Sequence, residues 1–89
     1  MNITRNTIIK AIVDRSGAYP NCTLKGIGTE LSINLFNSLG ELAYTFKTVI
    51  PRLKAKLTYF EIAEYLENHP EIKLISEAKT GQFSKRIEL

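Results

Sequence analysis

The spacing of apolar positions changes along the chain, and each change predicts an element. Ile8, Ile9, Ile12 and Val13 recur at helical spacing and predict a first helix over residues 3–16, with Thr4 placed to cap it. Lys10 and Asp14 sit four apart and fit an ion pair on its polar side. Gly17 supplies a left-handed stop, and Tyr19-Pro20-Asn21 a turn. Asn21 to Lys25 then reads as a short strand, broken by Gly26-Ile27-Gly28.

From Glu30 the period drops to two. Leu31, Ile33 and Leu35 alternate with Ser32 and Asn34. Asn37-Ser38-Leu39-Gly40 reads as a turn, and Leu42, Tyr44 and Phe46 alternate with Ala43, Thr45 and Lys47. Residues 30–48 therefore predict a half-buried β-hairpin. Leu31, Leu35, Leu39 and Leu42 also fit a helix, so two periods compete over residues 29–42.

The second helix has the clearest local signature. Thr58-Tyr59-Phe60-Glu61 is a capping box, Leu57 and Ile62 are placed as a hydrophobic staple, and Tyr59, Ile62, Ala63 and Leu66 form one stripe. Pro70 ends the run after Asn68 and His69. A last hairpin follows: Ile72 and Leu74 alternate with Lys73, Lys79-Thr80-Gly81 turns, and Phe83, Ile87 and Leu89 alternate with Ser84, Arg86 and Glu88. Lys85 falls on the apolar side, a placement that discourages an edge strand from recruiting another chain. The order α-β-β-β-α-β-β predicts an α+β fold, with two helices packed on a small, mostly antiparallel sheet of four or five strands. Residues 1–89 leave room for one compact domain.

Composition narrows the picture. With 44% hydrophobic and 24% charged residues, the chain belongs among globular proteins. A single cysteine excludes an intrachain disulfide, and the longest apolar runs fall far short of a signal peptide or a membrane span. The expectation is a cytoplasmic protein with no membrane partner.

One Cys and one His cannot complete a tetrahedral zinc site, and no carboxylates have calcium-loop spacing, so neither metal nor cofactor is expected. His69 fits a helix-terminal position favoured by the dipole. Nothing local activates Cys22, which fits a small buried apolar residue. Glu61, Glu64 and Glu67 lie on the solvated side of the second helix, where two carboxylate pKa values are not driven apart. No catalytic set is assembled, and no enzyme is expected.

Lys25-Gly26-Ile27-Gly28-Thr29 would resemble the pyrophosphate loop of an acetyltransferase if residues 29–39 were helical. That resemblance implies a phosphate- or coenzyme-binding enzyme fragment, the third functional reading. A bare Gly-x-Gly is otherwise a bend or bulge between strands.

Charge is unevenly spread within a net of +3. Lys47, Arg52, Lys54 and Lys56 fall in an acid-free stretch, and Lys79, Lys85 and Arg86 in another; the second helix between them carries only carboxylates. The leading expectation is a small non-catalytic regulatory protein. Its basic connector and C-terminal hairpin would converge on a nucleic-acid phosphate backbone through these seven residues. The helix followed by a basic hairpin resembles the wing region of a winged-helix protein in element order, over the last third of the chain. That is the runner-up architecture, although its helix would bring three carboxylates toward the phosphates. The alternative function is a protein–protein inhibitor or adaptor of the kind phages and mobile elements encode. It would act through a sheet edge or through Tyr44, Tyr59 or Tyr65.

Overall fold

The computed structural model describes residues 3–14, 21–80 and 83–89. Helix α1 (Arg5–Asp14) precedes strands β1 (Asn21–Ile27), β2 (Glu30–Phe36) and β3 (Leu42–Val49). A 3₁₀ turn (Pro51–Ala55) leads to α2 (Tyr59–Asn68), β4 (Ile75–Thr80) and β5 (Phe83–Glu88). The five strands form one antiparallel sheet in the order β1-β2-β3-β4-β5. The expected α+β order is the one that forms, and residues 29–42 resolve as strand and turn, not helix.

The alternation in β2 sets the two faces of the sheet. Leu31, Ile33 and Leu35 are buried, with Ser32 and Asn34 between them on the other side. Phe46 sits opposite Ile33 and is fully buried. Against this face lie Ile8, Ala11 and Ile12 of α1 and Ile62, Ala63 and Leu66 of α2, and together these residues form one core cluster. Each large side chain so buried contributes about 1.5–3 kcal/mol of transfer free energy. The α1 stripe is rotated from the expected one: Ala11 is inside, whereas Val13 is 45% exposed.

Both helices begin with reciprocal caps. Thr58 Oγ1 accepts from the Glu61 N–H at 3.2 Å, and the Glu61 carboxylate accepts from the Thr58 N–H at 3.1 Å, which is the predicted capping box. At α1, Thr4 Oγ1 accepts from the Thr7 N–H at 3.2 Å and Thr7 Oγ1 accepts from the Thr4 N–H at 3.3 Å. A threonine therefore does there what a glutamate does at α2.

The C-terminus of α2 has no basic residue in its own last turn. Arg5, at the start of α1, supplies the charge from across the fold. Its guanidinium donates to the carbonyls of Leu66 at 2.7 Å, His69 at 2.8 Å and Ile72. The Leu66 and His69 carbonyls belong to the helix end, which leaves such groups without intrahelical partners, and the negative end of the helix dipole favours a cation beside them. His69 takes the expected cap position, stacks on Tyr65 with ring centroids 4.0 Å apart, and places Nδ1 2.9 Å from the Tyr65 carbonyl oxygen.

Other expectations need correction. β1 continues through Gly26 to Ile27 instead of stopping at Lys25. β4 starts at Ile75, with Leu74 exchanging two backbone hydrogen bonds with Leu89 and Ile72 in the turn after α2. A winged-helix arrangement does not form, since both helices lie on one face of a single five-stranded sheet. Gly17, Tyr19-Pro20 and Gly81, on which expected turns rest, and the Asp14 carboxylate lie outside the described residues. Among the described residues, no helix is long and apolar enough to cross a membrane.

Two outcomes follow from the helix ends. Arg5→Ala removes a charged donor from three carbonyls and is expected to cost about 2 kcal/mol in urea unfolding. Arg5→Lys should recover only part of that, because one ammonium cannot reproduce the guanidinium fork. The Glu61 carboxyl is held below its ordinary value, first by the Thr58 backbone N–H, then by the Thr58 side chain, with a smaller pull from Arg52 against a weak opposing effect of burial. A depressed folded-state value stabilises the fold above the unfolded carboxylate range and loses that contribution as pH falls through the folded value. The melting temperature of wild type should therefore fall more steeply on acidification below about pH 4.5 than that of Glu61→Gln, whose amide caps without titrating.

Candidate binding face

With both helices on one side, the opposite side of the sheet is left open. Paired strands place their residues in rows across it. Ile27, Glu30 and Val49 form one row, and Lys25, Ser32, Lys47 and Ile75 the next. Thr23, Asn34 and Thr45 follow, then Asn21, Phe36 and Leu42. The third row is a hydrogen-bonded ladder: Asn34 Nδ2 donates to Thr23 Oγ1 at 3.3 Å, and Thr45 Oγ1 donates to Asn34 Oδ1 at 2.9 Å.

The row containing Leu42 depends on an irregularity. Leu35 pairs with Tyr44 but Phe36 pairs with Leu42, so Ala43 is an extra residue in β3. A bulge of this kind reverses the side-chain parity beyond it. Leu42 was expected to share a face with Tyr44 and Phe46. It lies instead on the open side, 58% exposed, while Phe46 is buried.

A trough of about 1090 Å³ runs along this face, lined by Ile27, Ser32, Thr45, Lys47, Val49 and Ile75 among others. β3 lies along it for eight residues, roughly 27 Å at 3.4 Å per residue. At one end Ile27, 69% exposed, and Val49, 55% exposed, flank Glu30, and Leu42 lies at the other. Its middle is polar, lined by Ser32, Thr45 and Lys47, with Lys25 beside Ser32 on β1. Among the described residues, no ion pair engages either lysine.

Of the seven predicted basic residues, four lie where β3 runs into the 3₁₀ turn and three lie along β4 and β5. Lys47 lies on the open face of β3, Arg52 and Lys54 lie in the 3₁₀ turn, and Lys56 caps that turn, all at the end where β3 finishes. Lys79 is in β4, and Lys85 and Arg86 are in β5, paired with Ala78 and Glu77; their side chains lie outside the described residues. β4 starts level with Lys47 and runs antiparallel to β3, so Lys79 is about 13 Å farther from the connector along the strand direction. Connector and hairpin tip do not converge, because an antiparallel strand that starts at the connector must carry its far end away from it. Lys25 was not among the predicted residues. Its place beside Ser32 was hidden by the expectation that Gly26-Ile27-Gly28 ends the strand.

Those glycines serve the sheet. Gly28, at φ 64°, opens the two-residue turn between Ile27 and Glu30, the position at which a II′ hairpin turn requires a positive φ. β2 follows at once, so there is no helix N-terminus to meet a phosphate, and the resemblance to a pyrophosphate loop fails on this geometry. A Cβ on Gly26 would stand 2.9 Å from Leu53 Cδ2, which shows how closely the connector packs on β1. Beside them a smaller groove of about 450 Å³ is lined by Leu24, Leu53, Lys54, Lys56 and Tyr59 among others. The Tyr59 hydroxyl accepts from the Leu24 N–H at 3.2 Å. The middle of the β1 edge is thus obstructed by Tyr59 and Leu53. Among the described residues, no group of three or more His, Cys, Asp or Glu side chains could hold a metal ion.

No protein-family model, curated protein or solved structure matches the chain.

Lys56 holds φ 58° and ψ 63°, the left-handed region that a side chain enters at a cost. Lys56→Gly is expected to raise stability by about 0.5–1 kcal/mol in urea unfolding, with the N–H of residue 56 still donating to the Leu53 carbonyl as it now does at 3.1 Å.

Proposed function

We propose that the chain is a non-catalytic binding protein, an adaptor or inhibitor acting in the cytoplasm, that docks another protein on the open face of its sheet. One observation supports this above the others: Ile27, Leu42 and Val49, each more than half exposed, all lie on the one uncovered face. An antiparallel sheet that only meets water carries polar residues on its outer side. Aliphatic groups at both ends of a trough that also carries Glu30, Ser32 and Lys47 suit a folded partner, which supplies apolar contact and polar pairing together.

The test is recovery from the native host with tagged chains. Wild type is expected to bring down one protein in stoichiometric amount, and Ile27→Asp/Val49→Asp to lose it while melting as wild type does. Retention by the double variant, or no stoichiometric protein with wild type, overturns the reading.

A nucleic-acid reading has its own observation: Arg52, Lys54 and Lys56 crowd one short turn, and no described carboxylate forms an ion pair with either lysine. It makes a different prediction. Affinity for a single-stranded oligonucleotide should fall with salt, at a log–log slope of about 2 for three phosphate contacts. Lys54→Gln/Lys56→Gln should weaken it, and Lys85→Gln/Arg86→Gln, on the edge strand β5, should not. Binding indifferent to salt would exclude it.

A further inference from the structure

The smaller groove lies beside β1, where the connector and the start of α2 come against the strand. Its volume of about 450 Å³ falls within the range of small-molecule sites. The buried Leu31 and Ile62 reach it from the core, and the half-buried Leu24 and Leu57 line it from β1 and from the residue before the α2 cap. Apart from Tyr59, the polar side chains that line it are Lys54 and Lys56, both exposed. No carboxylate lines this groove, whereas the trough on the open face carries Glu30 as well as Lys47. Among the described residues, neither ammonium has an ion pair or a hydrogen bond. An apolar floor is thus joined to charge of one sign. The backbone adds a second observation. Lys56 holds the left-handed region at φ 58°, where a glycine would sit without strain. Strain of this kind persists where the surroundings fix it, and it gathers at ligand clamps. Here the Lys56 N–H donates to the Leu53 carbonyl at 3.1 Å and Leu53 packs over Gly26, so the turn that carries both lysines is pinned to β1.

We propose that this groove binds a small amphipathic anion, a molecule with an apolar body and one carboxylate or phosphate head group. The body lies on Leu24, Leu31, Leu57 and Ile62, and the head group sits against the Lys54 and Lys56 ammoniums. Each part of the site answers one part of the ligand. Covering the leucines removes apolar surface from water, and a charge held against a low-dielectric wall attracts its counter-ion more strongly than it does in bulk water. A neutral apolar molecule would leave the lysines without partners, and an inorganic anion would leave the leucines wet. The site is separate from the open face of the sheet and does not rest on the protein-binding reading.

The experiment titrates the ¹⁵N-labelled full chain and follows its backbone amide shifts. Octanoate and octyl phosphate are the two complete probes; octanol, acetate and inorganic phosphate each lack one part. At least one complete probe should saturate the shifts of Leu24, Gly26 and Leu57, and the tighter of the two identifies the head group. Octanol should bind about tenfold more weakly for want of the charge. Acetate and inorganic phosphate should bind roughly a hundredfold more weakly for want of the apolar body. Lys54→Gln/Lys56→Gln should weaken the complete probe about tenfold while melting as wild type does. Leu42→Asp, at the far end of the open face, should bind it as wild type does. No saturation with either complete probe overturns the proposal. So do equal affinity for octanol or for inorganic phosphate, shifts centred on the open face, and unchanged binding by the double lysine variant.

Discussion

The guanidinium of Arg5 joins two segments that are remote in sequence. It stands at the first turn of α1 and binds carbonyls at the end of α2 and in the turn that leads to β4. Without that cation the end of α2 would turn several acceptors toward the start of α1 with no donor between them. With it, the two helices are held together as one layer over Leu31, Ile33, Leu35 and Phe46. The open face follows from that layer: two ten-residue helices serve one side of the sheet, and among the described residues no further helix covers the other.

Much of this was legible from spacing alone. The period of two from Glu30, the capping box at Thr58 and the apolar stripe of α2 are local features, and local features read correctly. The misreadings share a different origin. The Ala43 bulge leaves the alternation of apolar residues intact while reversing which face Leu42 occupies, and only the pairing with Phe36 reveals it. Arg5 has no charge partner nearby in sequence to mark it as the cap of another helix. Gly26 was read as a strand breaker because its lack of a side chain is a local fact, whereas the Leu53 side chain that needs the space arrives from a later segment.

The candidate site shows the same division. Lys47, Arg52, Lys54 and Lys56 were recognisable as a basic segment, and the structure keeps them at one end of the sheet. Their convergence with Lys79, Lys85 and Arg86 was a three-dimensional inference drawn from one-dimensional clustering. For Lys79 it fails on strand direction, a property to which charge is blind. The apolar ends of the trough were harder to see still, since Ile27, Leu42 and Val49 look like core residues until the pairing of strands shows which side they take.

The obstructed edge of β1 also bears on how copies of the chain can meet. With the Leu24 N–H taken by Tyr59 and Leu53 lying over Gly26, a new strand has no continuous row of backbone groups to join on that side. In the strand order, β5 is then the other end of the described sheet. Two molecules pairing there would use that end of each and present none to a third. Such an association closes at a pair, and the fibre that a two-edged sheet can seed has no way to propagate.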